Sequence, residues 1–402
     1  MRKLVYVVDD QQAVMETAAL VIQSIDPEWE VAGFLDAVEA MAAVKSRAPD
    51  LVLSDQVMPR MQGSQLLEEV RVVCPNAVRM IMSGHVALAK LSMITSAHQY
   101  ISKPFDALEL KALVVRTFAA QDRMRASGLE TIVTSLRGLP SVPQVYQALL
   151  VELEDCHGTS TAIAQMVAED VGLSTKVLQL ANSPLFGPGY LVSNPREAVL
   201  CLGTEMIKAI VLAQTLFKHF GGLRHSDLDL QRVWGHCWDV ALLGQYCCRQ
   251  KRLPADQVEQ AFLAGLLHET GRLVLAESFP DRFQAACQQA REAKTPLLPC
   301  LVDTFKATPT QLTAYLLELW GLPGDVVAAI ALQDAPQQDR TGSFSMATAL
   351  YVADHIADTR SSPDGFPVED WNAEYLKTRG CADEIREWEQ VVLTPPVGAG
   401  GA

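Results

Sequence analysis

At 402 residues the chain is longer than one hydrophobic core usually serves, so two or more domains are expected. With 49% hydrophobic and 20% charged residues it has the make-up of compact domains, which excludes a disordered chain. A formal net charge of −14 argues against a non-specific grip on nucleic-acid phosphates, because clustered Lys and Arg drive such binding. No apolar run reaches the roughly 18 residues that span a bilayer, so no membrane insertion is expected. The opening MRKLVYVVDD meets two acids after a short apolar stretch and does not read as a secretory signal. Nine scattered cysteines with no C-x-x-C pair fit reduced thiols in a cytoplasmic protein.

Apolar runs at 4–8, 31–34, 51–53, 78–82 and 100–101 predict five strands. Helix-like stretches near 12–25, 37–47, 64–73, 86–97 and 107–124 alternate with them. That alternation predicts a parallel sheet covered on both faces, a flavodoxin-like doubly wound α/β fold. The strands are nearly all apolar, as burial of both faces requires. Ligands of such folds sit beyond the carboxyl ends of the strands, at the switch point.

From about residue 127 the strand signals vanish and an all-α domain is predicted. Helical periodicity is read at 163–168, 173–181, 206–217, 228–248, 258–275 and 311–319. The segment 359–368, TRSSPDGFPV, reads as a turn-rich joint, and the closing PPVGAGGA as a frayed tail. The junction near 122–138 is not rich in Pro or Gly and is compatible with a continuous helix. The expected division is 1–124, 125–340, and a C-terminal helical extension with its tail over 341–402.

Chemistry-bearing residues fall at the carboxyl ends of the predicted strands. Asp9 and Asp10 end the first, Asp55 the third, Ser83 the fourth and Lys103 the fifth. Three clustered acids call for a hard divalent cation, and Mg²⁺ suits a few oxygen ligands with retained waters. A carboxylate neutralised in this way can attack phosphorus and form an acyl phosphate. Lys103 would neutralise phosphate oxygens, Ser83 would donate a hydrogen bond to them, and Pro104 suits a sharp turn with a cis bond.

Together VVDD, LVLSDQVMP, MSG and SKPF resemble the signature set of response-regulator receiver domains, over residues 1 to about 122. The resemblance implies Asp55 as phosphoacceptor and Asp9, Asp10 and Asp55 as Mg²⁺ ligands, with the backbone carbonyl of Val57. It also implies Ser83 as the hydroxyl switch residue and Tyr100 as the aromatic that moves with it, although an edge-strand aromatic is often mere packing.

Further on stand LPSVPQVYQALL at 139–150, MVAEDVGLSTKVLQLANSPLFG at 166–187, WGHCWDVALL at 234–243 and AGLLHETGRL at 264–273. With LGTEMIKAIVLA and YLLELWGLP these resemble the HDOD family, helical relatives of the HD metal-dependent phosphohydrolases, over about 130–340. An HD hydrolase needs His and Asp ligands converging on one or two metals. His236 and His268 fit two of them, and Asp354 in YVADHIAD could supply a late acid. Glu269, however, stands where the motif wants Asp, Pro309 where relatives often carry a His, and Gln333 and Asp334 where they often carry a His pair. A vestigial, non-catalytic site is therefore expected at His236, His268, Glu269 and Asp354, with no cofactor. His236 and His268 read most simply as core histidines at packing seams. Trp234 and Trp238, four residues apart, read as core, and the 182–190 loop as a partner contact.

The resulting expectation is a two-component response regulator controlled at Asp55. Its partners would be a sensor histidine kinase or phosphotransfer protein, a downstream signalling protein and a second copy through the receiver domain, with no direct DNA binding. The alternative is an HD-type phosphodiesterase under the same control.

Overall fold

The computed structural model describes residues 2–84, 97–126, 129, 132–133, 163–164, 167–168, 171–182, 192–223, 228–361 and 365–391. Two compact units emerge: Met1–Asp155 with Tyr315–Leu322, and Cys156–Ala314 with Pro323–Ala402.

The first unit opens β1 (Leu4–Val8), α1 (Gln12–Gln23), β2 (Glu30–Phe34), α2 (Ala37–Ser46), β3 (Leu51–Asp55) and α3 (Gly63–Val73). It continues through β4 (Val78–Gly84), β5 (Gln99–Lys103) and α4 (Ala107–Ala126). The helix predicted at 86–97 lies outside the described residues, apart from its final position. All strand pairs are parallel and the order is β2-β1-β3-β4-β5, the flavodoxin-like arrangement predicted. Every residue of β1 and β3 is buried, as central strands with two covered faces should be. The crossing from β1 out to β2 and back to β3 opens a crevice at their carboxyl ends. Asp36 caps α2 by accepting from the amides of Val38 and Glu39. Gly63 starts α3 against β3, where a Cβ would lie 2.0 Å from the Asp55 carbonyl oxygen. The α4 helix runs to Ala126, two residues beyond the predicted end.

The second unit's described secondary structure is helical, in keeping with the all-α prediction. In order come α5 (Val171–Ala181), α6 (Pro195–Leu202), α7 (Thr204–His219), α8 (Leu230–Gln250), α9 (Ala255–Leu267) and α10 (Thr270–Ser278). Then follow α11 (Pro280–Ala293), α12 (Leu297–Phe305), α13 (Pro309–Leu319, of which the residues from Tyr315 on are grouped with the first unit), α14 (Gly324–Ala331), α15 (Met346–Ser361), α16 (Ala373–Thr378) and α17 (Ile385–Trp388). Asp229 caps α8, and α8 packs on α9 and α15 to form the heart of the unit. Trp234 and Trp238 are buried there with ring centroids 5.9 Å apart, the core role expected. No single described helix is long and apolar enough to cross a membrane.

Two sequence readings need correction. The periodic stretch 258–275 is two helices, broken at His268 and Glu269. The Thr313 hydroxyl, from α13, accepts from the Gly271 amide at 2.8 Å and lies 2.8 Å from the His268 carbonyl oxygen. It thus serves both backbone ends that the break exposes. The joint read at 359–368 begins later, because α15 runs through Ser361.

Candidate functional site

The first unit gathers its chemistry at the carboxyl ends of its strands. Asp9 follows β1 and is fully buried; Asp55, the last residue of β3, is buried beside it. The Lys103 ammonium, at the end of β5, meets Asp9 Oδ2 at 2.6 Å and also pairs with Asp55 Oδ1. The second oxygen of each acid is fixed by backbone: Asp9 Oδ1 accepts from the Gln11 amide at 3.0 Å, Asp55 Oδ2 from the Val57 amide at 2.8 Å. Burial raises the Asp9 carboxyl above its ordinary value, and the Lys103 bond and Gln11 amide only partly offset this. Asp10 is exposed next to Asp9.

Ser83 is buried near the end of β4, paired in register with Ser102. Tyr100 lies lower on β5, opposite Ile81, half-buried against the apolar cluster around Tyr6 and Ile81. The Lys103–Pro104 peptide is cis. The loop after Asn182 lies outside the described residues as far as 191. Its near end is visible: the Asn182 amide donates to the Val192 carbonyl and accepts from its N–H, both at 2.8 Å.

In the second unit three helices converge. His236 comes from α8, His268 caps the end of α9, and Asp354 comes from α15. His236 Nε2 is 2.9 Å from Asp354 Oδ1, His268 Nε2 is 3.3 Å from the same oxygen, and the two nitrogens are 3.2 Å apart. Glu269 Oε1 is 3.7 Å from His268 Nε2, while its other oxygen pairs with Arg272 at 3.1 Å. Of the outer nitrogens, His268 Nδ1 donates to the Gly265 carbonyl at 2.7 Å, whereas His236 Nδ1 lies 3.4 Å from Asp358 Oδ1 with no hydrogen-bond partner among the described residues. Beside this cluster opens a cleft of about 170 Å³, lined also by Pro309, Gln333 and Asp334. The positions singled out in sequence as departures from imidazole therefore face one site.

Asp358 and Thr310 were missed. Asp358 lies one helical turn after Asp354 in YVADHIAD, a spacing that puts both on one face and could have revealed it. Thr310 donates to Asp334, 24 residues further on, a pairing that no local pattern announces.

The charges in this cluster are tightly balanced. Burial works against a charged His236, but the Asp354 hydrogen bond and the Asp358 charge outweigh it and raise its pKa. His268 is raised further, burial being overcome by Cys237 and Asp354. Burial disfavours the Asp354 anion, yet two imidazole hydrogen bonds hold its pKa far below the usual range. Burial pushes Asp334 and Asp358 up to about 6. Stability from the raised histidines is complete below about pH 6.5 and lost as pH climbs through their folded values. The raised acids oppose folding progressively from about pH 4 to 6, whereas the Asp354 contribution is already complete above about pH 4. In EDTA, the Tm of this unit is accordingly expected to fall between pH 5 and 8. Calorimetry showing a level or rising Tm would contradict these assignments. Asp354→Asn should flatten the part of the slope above pH 6.5.

Comparison with known proteins fits both halves. The response regulator receiver domain family matches residues 5–115, and the HDOD domain family matches residues 139–336. An uncharacterized protein of Treponema pallidum is 23% identical over 219 residues, covering 52% of this chain and 40% of its own length. The DNA-binding transcriptional regulator NtrC of Escherichia coli is 29% identical over 157 residues, covering 37% of this chain and 32% of its own. The chain thus spans well under half the length of either relative. An HDOD domain protein of unknown function from Geobacter sulfurreducens is 18% identical, with a TM-score of 0.50. That alignment covers 69% of this chain and 89% of the other, and it supports the fold. The chain joins a response regulator receiver domain to a helical HDOD domain.

Proposed function

We propose that the protein is a cytoplasmic two-component response regulator, phosphorylated at Asp55, whose HDOD domain is a non-catalytic output unit. The proposed division is receiver 1–124, output 125–340 and extension 341–402. The observation that carries this reading is the Lys103 ammonium shared by Asp9 and Asp55 at the switch point. Asp9, Asp10, Asp55 and the Val57 carbonyl would hold Mg²⁺, for which hard oxygen donors at the carboxyl ends of neighbouring strands are the fitting set. Bound there, the ion would supply the positive charge that lets an anionic nucleophile approach a phosphoryl group. The Val57 amide orients the Asp55 carboxylate, whose oxygen forms the new bond to phosphorus as the donor's leaving group departs with its electron pair. Lys103 then neutralises the phosphoryl oxygens, Ser83 donates to them, and Tyr100 follows Ser83 inward. A histidine kinase or phosphotransfer protein would be the donor, and a protein partner, reached through the output unit, the receiver of the signal.

Acetyl phosphate should add one base-labile phosphate to the intact chain, detected by mass spectrometry. Asp55→Asn should abolish it; equal labelling of that variant would sink the assignment.

A second reading has one observation in its favour. Three donors, His236 Nε2, His268 Nε2 and Asp354 Oδ1, lie 2.9–3.3 Å from one another, and Glu269 Oε1 stands 3.7 Å from His268 Nε2. A tetrahedron with metal–ligand bonds of about 2.0–2.1 Å has edges of about 3.3 Å. The outer nitrogen of His268 already has an acceptor, the Gly265 carbonyl, as a metal-bound imidazole does. A hydrolase would need these residues to activate water, and Glu269, Pro309 and Gln333 leave the cleft short of imidazoles. Turnover of a cyclic dinucleotide with Mn²⁺, lost in His268→Ala, would establish this second reading.

A further inference from the structure

We propose that the cleft beside His236, His268 and Asp354 binds a small organic cation, an amine or guanidinium on a short hydrocarbon chain. The proposal rests on reading the helical part as a non-catalytic output unit and names the ligand class to which that unit would respond.

Charge sets the sign of the ligand. Glu269, Asp334, Asp354, Asp358, Glu369 and Asp370 all line the cleft. Against them stand Arg272, already paired with Glu269, His268, already paired with Asp354, and His355. His355 stacks on Trp371 at 3.7 Å between ring centroids. A phosphate-bearing ligand would meet net repulsion here, and a cation net attraction.

A second, independent observation points the same way. Gln333 lines the cleft and is only 4% exposed, yet its Oε1 has no hydrogen-bond partner among the described residues. A buried carbonyl oxygen left unpaired is costly, so the missing partner is an N–H or O–H donor. Ammonium and guanidinium groups satisfy both demands, bringing positive charge and several donors. The remaining wall is apolar, formed by Leu297, Leu298, Leu301 and Phe366, and calls for hydrocarbon between or beside the polar ends. At about 170 Å³ the cleft compares with the cavities of about 150 Å³ that accept a benzene-sized molecule.

The test is calorimetric titration of the full chain in EDTA with agmatine and putrescine, and with 1,4-butanediol as the uncharged counterpart. Saturable binding of the two cations without binding of the diol is expected. Gln333→Met should weaken agmatine about tenfold, the size of one lost charge-assisted hydrogen bond. The rim variant Glu369→Gln/Asp370→Asn, at two exposed positions, should weaken it several-fold. No saturable heat from either cation would overturn the proposal, and so would unchanged affinity in both variants. Failure of the underlying reading would show separately, as metal-dependent turnover by the same preparation.

Discussion

Lys103→Met is expected to destabilise the receiver unit by about 3–5 kcal/mol, the usual result of stripping one partner from a buried ion pair. The size follows from what is left behind. Asp9 is fully buried and Asp55 nearly so, and the Lys103 side chain that bridges them is only 16% exposed. Two carboxylates would then face each other across the crevice with backbone amides as their remaining donors. Burial already raises the Asp9 carboxyl, and losing Lys103 would raise it further. For an acid raised on folding, stability is lost as pH rises from the unfolded value, near 4, through the folded one. The variant should therefore unfold more readily at pH 7 than at pH 5, in urea, by fluorescence. Mg²⁺ should restore more stability to the variant than to the wild type, because a divalent cation supplies the missing charge. Wild-type stability in Lys103→Met without Mg²⁺ would show that the bridge contributes nothing.

This site was legible because each of its residues sits at a strand end, and strand ends are what apolar runs mark best. Asp9, Asp55 and Lys103 needed only the alternating pattern and the switch-point rule to be brought together. The helical half was read less completely. Its helices α7 and α8 emerged from periodicity, but the α9–α10 break did not, since neither Gly nor Pro stands at His268 or Glu269. The break is made from outside, by Thr313 on a helix some forty residues away. The same limit explains why the Thr310–Asp334 contact was not read from the sequence. Periodicity reports which face of a helix is buried, and it is silent about which helix covers it.

Gly271→Ala should cost the helical unit about 3 kcal/mol, the upper range for a methyl group forced into a packed site. A Cβ there would lie 2.1 Å from the Pro309 carbonyl oxygen and 2.8 Å from the Thr313 nitrogen. Both obstacles are backbone atoms, so no side-chain rotation relieves the clash and the α10–α13 contact must open. The Gly271 amide would then drift from the Thr313 hydroxyl, loosening the corner that holds His268 and Glu269. Denaturant unfolding followed by tryptophan fluorescence should show the loss, with Trp234 and Trp238 reporting from the core. A variant as stable as wild type would mean that the corner yields easily.

The close approach of Gly63 to the Asp55 carbonyl has a mechanical consequence. A residue with a side chain would stand α3 off from β3 and leave a compliant gap between them. With hydrogen in place of Cβ, the start of α3 rests directly on the backbone at Asp55, and the Gly63 amide is tied to the Gln56 carbonyl at 3.1 Å. The joint has no slack. A displacement of Asp55 along its strand is delivered to the helix as a push rather than dissipated in side-chain rearrangement, which makes α3 a stiff lever hinged at Asp55 itself.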